Sequence, residues 1–303
     1  MIHGAMILQD LVADLLQHRV LAPAAHEEAE PSQLSLPPPI RALRGGAGAD
    51  RLGSAFASGY LAATAALFGG QRVGLSVTEQ GGGHPEAIRC RVTPEGEGLR
   101  LIGEKIWATL ADRVDTLMVL ADAAPEGPRR DLVLLRVPTG RSGPELAPMP
   151  ATPFCPEIRH FRVKLDLWLP ASARLSGAAW ERYIRPFRSV EDLHVCLAAT
   201  AMLIRQCGPD PRLIMTLAAL LTLIDAEPEA PTTVLGLVAA GTALRHYDPP
   251  EATVDPDFWR RWHRDRALFS VAEGVRARRA ELAHAALIHR PIHPSGPAHE
   301  TQD

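Results

Sequence analysis

Apolar residues recur at helical intervals near the start of the chain, at Ile7, Leu8, Leu11, Val12, Leu15 and Leu16, with Gln9, Asp10 and Asp14 between them. That spacing predicts a short amphipathic helix. A breaker-rich stretch from Pro31 to Pro39, with Gly45, Gly46 and Gly48 soon after, precedes a second helical pattern. Here Ala55, Tyr60, Ala63, Ala66 and Leu67 fall on or near one face, and Gly69-Gly70 supplies the stop. From Val73 onward the runs shorten to strand length. Val73 to Val77, Ala87 to Val92, Leu99 to Ile102, Thr116 to Ala121, Leu132 to Val137 and Phe161 to Leu167 read as strands. Turn segments such as Pro94-Glu95-Gly96-Glu97-Gly98 and Pro138-Thr139-Gly140 favour antiparallel hairpins over βαβ units. Beyond Gly177 helical spacing returns, at Leu193, Leu197, Ala201 and Ile204, then at Leu213, Leu217, Leu221 and Ile224. A last pattern takes in Phe258, Trp262, Phe269 and Ala272 and reads as one amphipathic helix.

These patterns predict an α+β chain: a helical domain over 1–72, a middle antiparallel β domain over 73–177 and a C-terminal helical bundle over 178–289. The segment 290–303, rich in Pro, His and Gly and without periodicity, is expected to be disordered.

Composition narrows the classes. With 46% hydrophobic and 22% charged residues in 303, the chain can build a globular core. A net charge of -3 gives no field to attract nucleic acid or anionic lipid. The longest apolar runs, Leu213 to Ile224 and Val234 to Leu244, fall short of a membrane span. The N-terminal pattern is unlike a signal peptide, so a cytoplasmic location is expected. Cys90, Cys155, Cys196 and Cys207 stand far apart without a CxxC pair, and the 12 histidines form no HExxH motif, so no metal site is expected.

Four segments carry candidate chemistry. The glycine-rich turn Thr78-Glu79-Gln80-Gly81-Gly82-Gly83 follows a strand and exposes backbone N–H groups to a close ligand, although such a turn also serves with no ligand at all. In Lys105-Ile106-Trp107-Ala108-Thr109, alternation places an aromatic plane and a hydroxyl on one face, which suits a flat heteroaromatic ligand; a core Trp beside a strand Thr is the plainer alternative. The alternating run Phe161 to Pro170 marks the end of the β region. In the last pattern Trp262, Arg266, Phe269 and Glu273 step by four, three and four, which would set a carboxylate beside an aromatic face, partly desolvated. An ion pair of Glu273 with Arg276 competes with that reading.

In this order the segments resemble the acyl-CoA dehydrogenase family. Thr78-Glu79-Gln80-Gly81-Gly82-Gly83 is similar to the family's Thr-Glu-Pro-x-x-Gly loop, and Lys105-x-Trp107-Ala108-Thr109 to its Lys-x-Trp-Ile-Thr flavin segment. Leu167-x-Leu169-Pro170 is similar to the closing strand, and Arg264-Asp265, seven residues and Glu273-Gly274 to the run leading to the catalytic glutamate. The resemblance implies FAD as cofactor and dehydrogenation of an acyl thioester, on CoA or a carrier protein, between its α and β carbons. It implies Glu273 as the α-proton base, its backbone N–H as an oxyanion donor, and Gly274 beside the substrate. Trp107 would lie against the flavin, Thr109 near its N5 edge, and Thr78, Gly83 and His84 around it. Arg188 falls near the family's active-site arginine, with pairing to Glu191 or Asp192 as the plainer alternative.

Several features differ from the family pattern. His84-Pro85 follows the loop where many relatives have Ser-Asp or Ser-Asn, and neither an Arg-x-x-Phe-Gly nor a Gly-Gly-x-Gly run occurs where relatives carry them. Two other readings therefore stand beside the dehydrogenase: a binding or assembly subunit without turnover, and a flavin oxidase or monooxygenase on the same scaffold. An electron-acceptor protein and a homodimer or higher homo-oligomer are the further partners expected.

Overall fold

A computed structural model describes residues 10, 12–15, 35–70, 72–127, 130–251 and 254–289. The tail expected to be disordered lies outside the described residues; of the first predicted helix, residues 10 and 12–15 are described and are helical.

Helix α1 (Pro38–Ala47) opens with proline in its first turn, where the missing N–H has no intrahelical role. Helix α2 (Leu52–Phe68) closes at Gly69, whose φ of 67° lies in the left-handed region open to glycine. Both pack on the long helix α3 (Arg185–Cys207), which follows a π-helical turn at Trp180–Ile184. The packing is close because glycines face it: a Cβ on Gly46 would fall on the backbone carbonyl of Ala198, and one on Gly59 would sit 2.7 Å from the Val195 Cα. Helices α4 (Pro211–Thr222), α5 (Pro231–Arg245), α6 (Pro256–Asp265) and α7 (Glu273–Ile288) complete this part of the chain. Asp210 and Asp255 cap α4 and α6 by accepting from backbone N–H groups of their first turns.

Between α2 and α3 the chain forms one seven-stranded sheet: β1 (Val73–Ser76), β2 (Arg91–Glu95), β3 (Gly98–Thr109), β4 (Thr116–Asp122), β5 (Leu132–Pro138), β6 (Glu145–Pro148) and β7 (His160–Pro170). Three sequential hairpins, β2–β3, β4–β5 and β6–β7, match the antiparallel expectation. The sheet itself is mixed, however, because β4 inserts between β1 and β2 and runs parallel to both. Turn signals report only neighbours in sequence, so this insertion leaves no trace in them. The interior of β4 is buried on both faces, as a central strand requires. Strand β6 was not expected, and the strand placed from Ala87 starts instead at Arg91, after a short 3₁₀ turn at Pro85–Ala87.

The single helix expected through Phe258, Trp262, Phe269 and Ala272 is broken. After α6 comes a 3₁₀ turn, Arg266–Ser270, and Ala272 takes a left-handed φ of 58° before α7 begins. Tertiary bonds override the local period. The buried Asp265 carboxylate accepts the Cys155 N–H at 2.7 Å, and the Arg276 guanidinium takes the Val271 carbonyl that a continuous helix would have paired internally. Among the described residues no helix is long and apolar enough to cross a membrane.

Candidate active site

A cavity of about 580 Å³ lies where α2, the β1–β3 end of the sheet, α3, α5 and the start of α7 meet. Its sheet wall carries the sequence motifs. The Thr78–Gly83 loop is closed by reciprocal backbone bonds between Glu79 and Gly82, at 3.0 and 2.8 Å, with Gly82 at a φ of 108°. A buried ion pair locks this loop to β3: Lys105 Nζ donates to Glu79 Oε1 at 2.6 Å and to the Val77 carbonyl at 3.1 Å. Glu79 also accepts the Arg89 and Cys90 N–H groups, and Ile106 N–H donates to the Thr78 carbonyl at 2.8 Å.

Strand β3 then bulges against β7 between Lys105 and Ala108, and Trp107 takes a φ of 60°. The indole therefore stands out of the sheet, 45% exposed, at the cavity. The bulge alters the simple alternation expected for this segment, yet Trp107 and Thr109 both line the cavity. Thr109 Oγ1 lies 3.2 Å from His160 Nδ1, and the His160 ring meets Trp107 edge-on at 5.3 Å between centroids. Burial lowers the His160 pKa and favours the neutral imidazole. Thr78 and Gly83 are also in the wall. An exposed aromatic face, hydroxyls on two adjoining segments and a glycine without a side chain at position 83 form a set that fits a flat heteroaromatic ring with polar edges.

The helical wall is apolar except for two ion pairs. Phe187, Arg188, Glu191, Asp192, Val195 and Cys196 share one stripe of α3. Arg188 Nη1 donates to Glu191 Oε2 at 3.3 Å, and Arg276 Nη2 to Asp192 Oδ1 at 2.8 Å. The Glu191 side chain is only 15% exposed. Burial pushes its carboxyl above the usual carboxylate range; neighbouring Arg188 opposes that shift, Asp192 adds to it and Arg276 opposes it. Tyr60 closes the α2 side, its hydroxyl accepting the Leu75 N–H at 2.9 Å.

Three expected site residues lie elsewhere. Glu273 begins α7 with its side chain 61% exposed, paired with Arg245 at 2.5 Å. It is neither desolvated by an aromatic face nor paired with Arg276, because the left-handed Ala272 turns the chain before it. Gly274 follows it outside the lining, with open space where a Cβ would stand. His84 is exposed, and its Nδ1 accepts the Glu86 N–H at the 3₁₀ turn. Arg188 lines the cavity, in the pairing with Glu191 that the sequence also offered. Glu191 was read only as that partner. The available signal is a cluster of three charged residues, Arg188, Glu191 and Asp192, on a helical stripe that also carries Phe187, Val195 and Cys196.

No family model matches the chain, and no curated protein matches it. Solved structures do. The prolyl acyl carrier protein oxidase AnaB is 12% identical, with 94% of this chain and 98% of that one covered at a TM-score of 0.66. Glutaryl-CoA dehydrogenase from Mycobacterium smegmatis is 17% identical over 95% and 94%, at 0.60. PigA with FAD and proline is 14% identical over 93% and 94%, at 0.63. The chain thus has the fold of the acyl-CoA dehydrogenase family across most of its length.

Proposed function

We propose, from that shared fold, that the chain is a flavin-dependent oxidoreductase acting on acyl thioesters, with Glu191 as the group that removes the proton α to the thioester carbonyl. One observation carries the reading: a half-buried carboxyl of raised pKa stands in the helical wall of a cavity whose sheet wall presents Trp107, Thr109 and Thr78. These three, with Gly83, would hold the isoalloxazine of FAD. FAD bound there would supply the hydride acceptor for the β carbon. Arg188 opposes the effect of burial on the Glu191 carboxyl and so favours the ionised form that a base requires. The aromatic lining formed by Phe56, Phe154, Phe187 and Phe269 excludes water from the reacting carbons.

Glu273, the base implied by sequence resemblance, faces Arg245 instead. The decisive comparison is Glu191→Gln against Glu273→Gln. Purified proteins are titrated with FAD by fluorescence, then mixed anaerobically with a panel of acyl-CoA and acyl-pantetheine thioesters. Glu191→Gln should bind FAD and fail to bleach it, while Glu273→Gln bleaches normally. The reverse result would move the base to Glu273, and wild-type protein that binds no FAD would favour a subunit without turnover. Because one similar structure is described as an oxidase, oxygen is a second acceptor to test, by oxygen uptake during turnover.

A further inference from the structure

Thr109 ends β3 and His160 begins β7, and the two are direct cross-strand partners, so their side chains share one face of the sheet. Both line the cavity described above, together with Trp107. Thr109 Oγ1 stands 3.2 Å from His160 Nδ1, whereas the other acceptor within reach of the hydroxyl, the Trp107 carbonyl, is at 3.5 Å.

The nature of that partner sets His160 apart. Where other histidine rings of the described residues make a hydrogen bond at Nδ1, its role there is fixed. The Val190 and Trp259 carbonyls accept from Nδ1 of His194 and His263, and Nδ1 of His84 accepts the Glu86 N–H. His160 Nδ1 faces a hydroxyl, which both donates and accepts, and among the described residues its ring makes no other hydrogen bond. Two arrangements are therefore open. In one, Nδ1–H donates to Oγ1 and the Thr109 hydrogen is released to a ligand; in the other, Nδ1 accepts that hydrogen and Oγ1 offers a ligand only lone pairs. The neutral imidazole, which burial favours, is the form that can do either. The charged groups around the cavity leave it so: Arg188 pairs with Glu191, Arg276 with Asp192, and the adjacent Arg159 with Asp112.

Resting on the flavin reading, we propose that His160 is a positioning residue which, by exchanging tautomers, turns the Thr109 hydroxyl from donor to acceptor as a bound isoalloxazine passes from oxidised to reduced. The ring nitrogen that takes up a hydride is an acceptor before reduction and an N–H donor after it. A hydroxyl that accepts from such an N–H must place its own hydrogen elsewhere, and His160 Nδ1 is the acceptor within reach. A hydroxyl that donates is strengthened by receiving Nδ1–H in turn. The exchange moves one proton between Nδ1 and Nε2 through water, with no change in net charge. The plainer role for the ring is to fill the wall by its edge-on contact with Trp107. That role requires no change of tautomer.

The test uses the full chain with isotope-labelled histidine nitrogens, observed by NMR at mildly alkaline pH without FAD, with FAD, and with FAD reduced anaerobically by dithionite. Ring-nitrogen shifts report the tautomer, and His160→Asn, which deletes one set of signals, assigns them. The Nδ1–H form should predominate with oxidised FAD and the Nε2–H form with reduced FAD, an inversion of the tautomer ratio. Thr109→Val should abolish the inversion. His160→Phe keeps a ring against Trp107 but removes its nitrogens, and should weaken FAD binding by roughly three- to tenfold, the loss of one neutral hydrogen bond. His160→Asn, whose amide donates or accepts, should bind FAD as wild type does. The same tautomer in both states, an inversion that survives in Thr109→Val, or His160→Phe binding as tightly as wild type would overturn this inference alone. Wild type that bound no FAD would overturn the flavin reading and this inference with it.

Discussion

Glu191 holds a carboxyl where burial favours the neutral form, and that has a definite sign for stability. Its pKa is raised in the folded protein above the ordinary 4.5, so the folded state keeps the proton after the unfolded state has lost it. Below the unfolded value both states are protonated and pH has no effect through this group. As pH rises from there through the raised folded value, stability falls, and above it the penalty stays constant. Glu191→Gln should remove that decline: urea midpoints from pH 4 to 8 should show the variant gaining on wild type as pH rises. A gain that grows toward low pH would contradict the assignment. In the Glu79–Lys105 pair both charges are buried and each satisfies several partners. Removing one member, by Glu79→Ala or Lys105→Met, should cost about 3 to 5 kcal/mol in chemical denaturation. Because the two residues share one network, the double variant should lose less than the sum. The sequence displays both residues inside recognisable segments. Their contact across 26 positions is a property of the folded sheet, so the reason for the motif becomes visible only there.

At the scale of elements, α3 organises the helical side, and two glycines on its neighbours set how closely it can be approached. Gly46→Val should destabilise the protein by about 2 kcal/mol or more, because the added atoms meet the α3 backbone at Ala198, which cannot rotate aside. Gly241 is the contrast: a Cβ there meets nothing within 4 Å, so Gly241→Ala in α5 should stabilise by up to about 1 kcal/mol through helix propensity. Thermal melts of the two variants test both signs. The apolar spacing of Leu193, Leu197, Ala201 and Ile204 made α3 legible, and period-two runs located most strands. Two features were illegible for a common reason. The position of β4 between β1 and β2, and the break between α6 and α7, are decided by partners distant in sequence. The break matters most for the site, since helical spacing carried through it puts Glu273 on the wrong face.

Across the whole molecule, the large cavity lies between the sheet and the helices, so its shape depends on the few polar ties that join them. Tyr60 ties α2 to β1 through Leu75, and Asp265 ties the end of α6 to the segment between β6 and β7. The second tie is the more exposed to perturbation. Asp265 is fully buried, accepts the Cys155 N–H and pairs with Arg264 Nε at 2.6 Å. Cys155 holds a left-handed φ of 45°, a conformation uncommon for a residue with a side chain, which the surrounding bonds must maintain. Asp265→Ala would leave a buried N–H without an acceptor and remove the charge that holds Arg264, a loss of about 2 to 4 kcal/mol. Asp265→Asn keeps an acceptor oxygen for Cys155 and should recover part of that loss. Since Phe154 and Ile158 flank Cys155 and line the cavity, the alanine variant should also weaken FAD and thioester binding, with the asparagine variant intermediate in both stability and affinity. If stability fell in that order while ligand affinity stayed constant, the tie would support the fold without shaping the cavity.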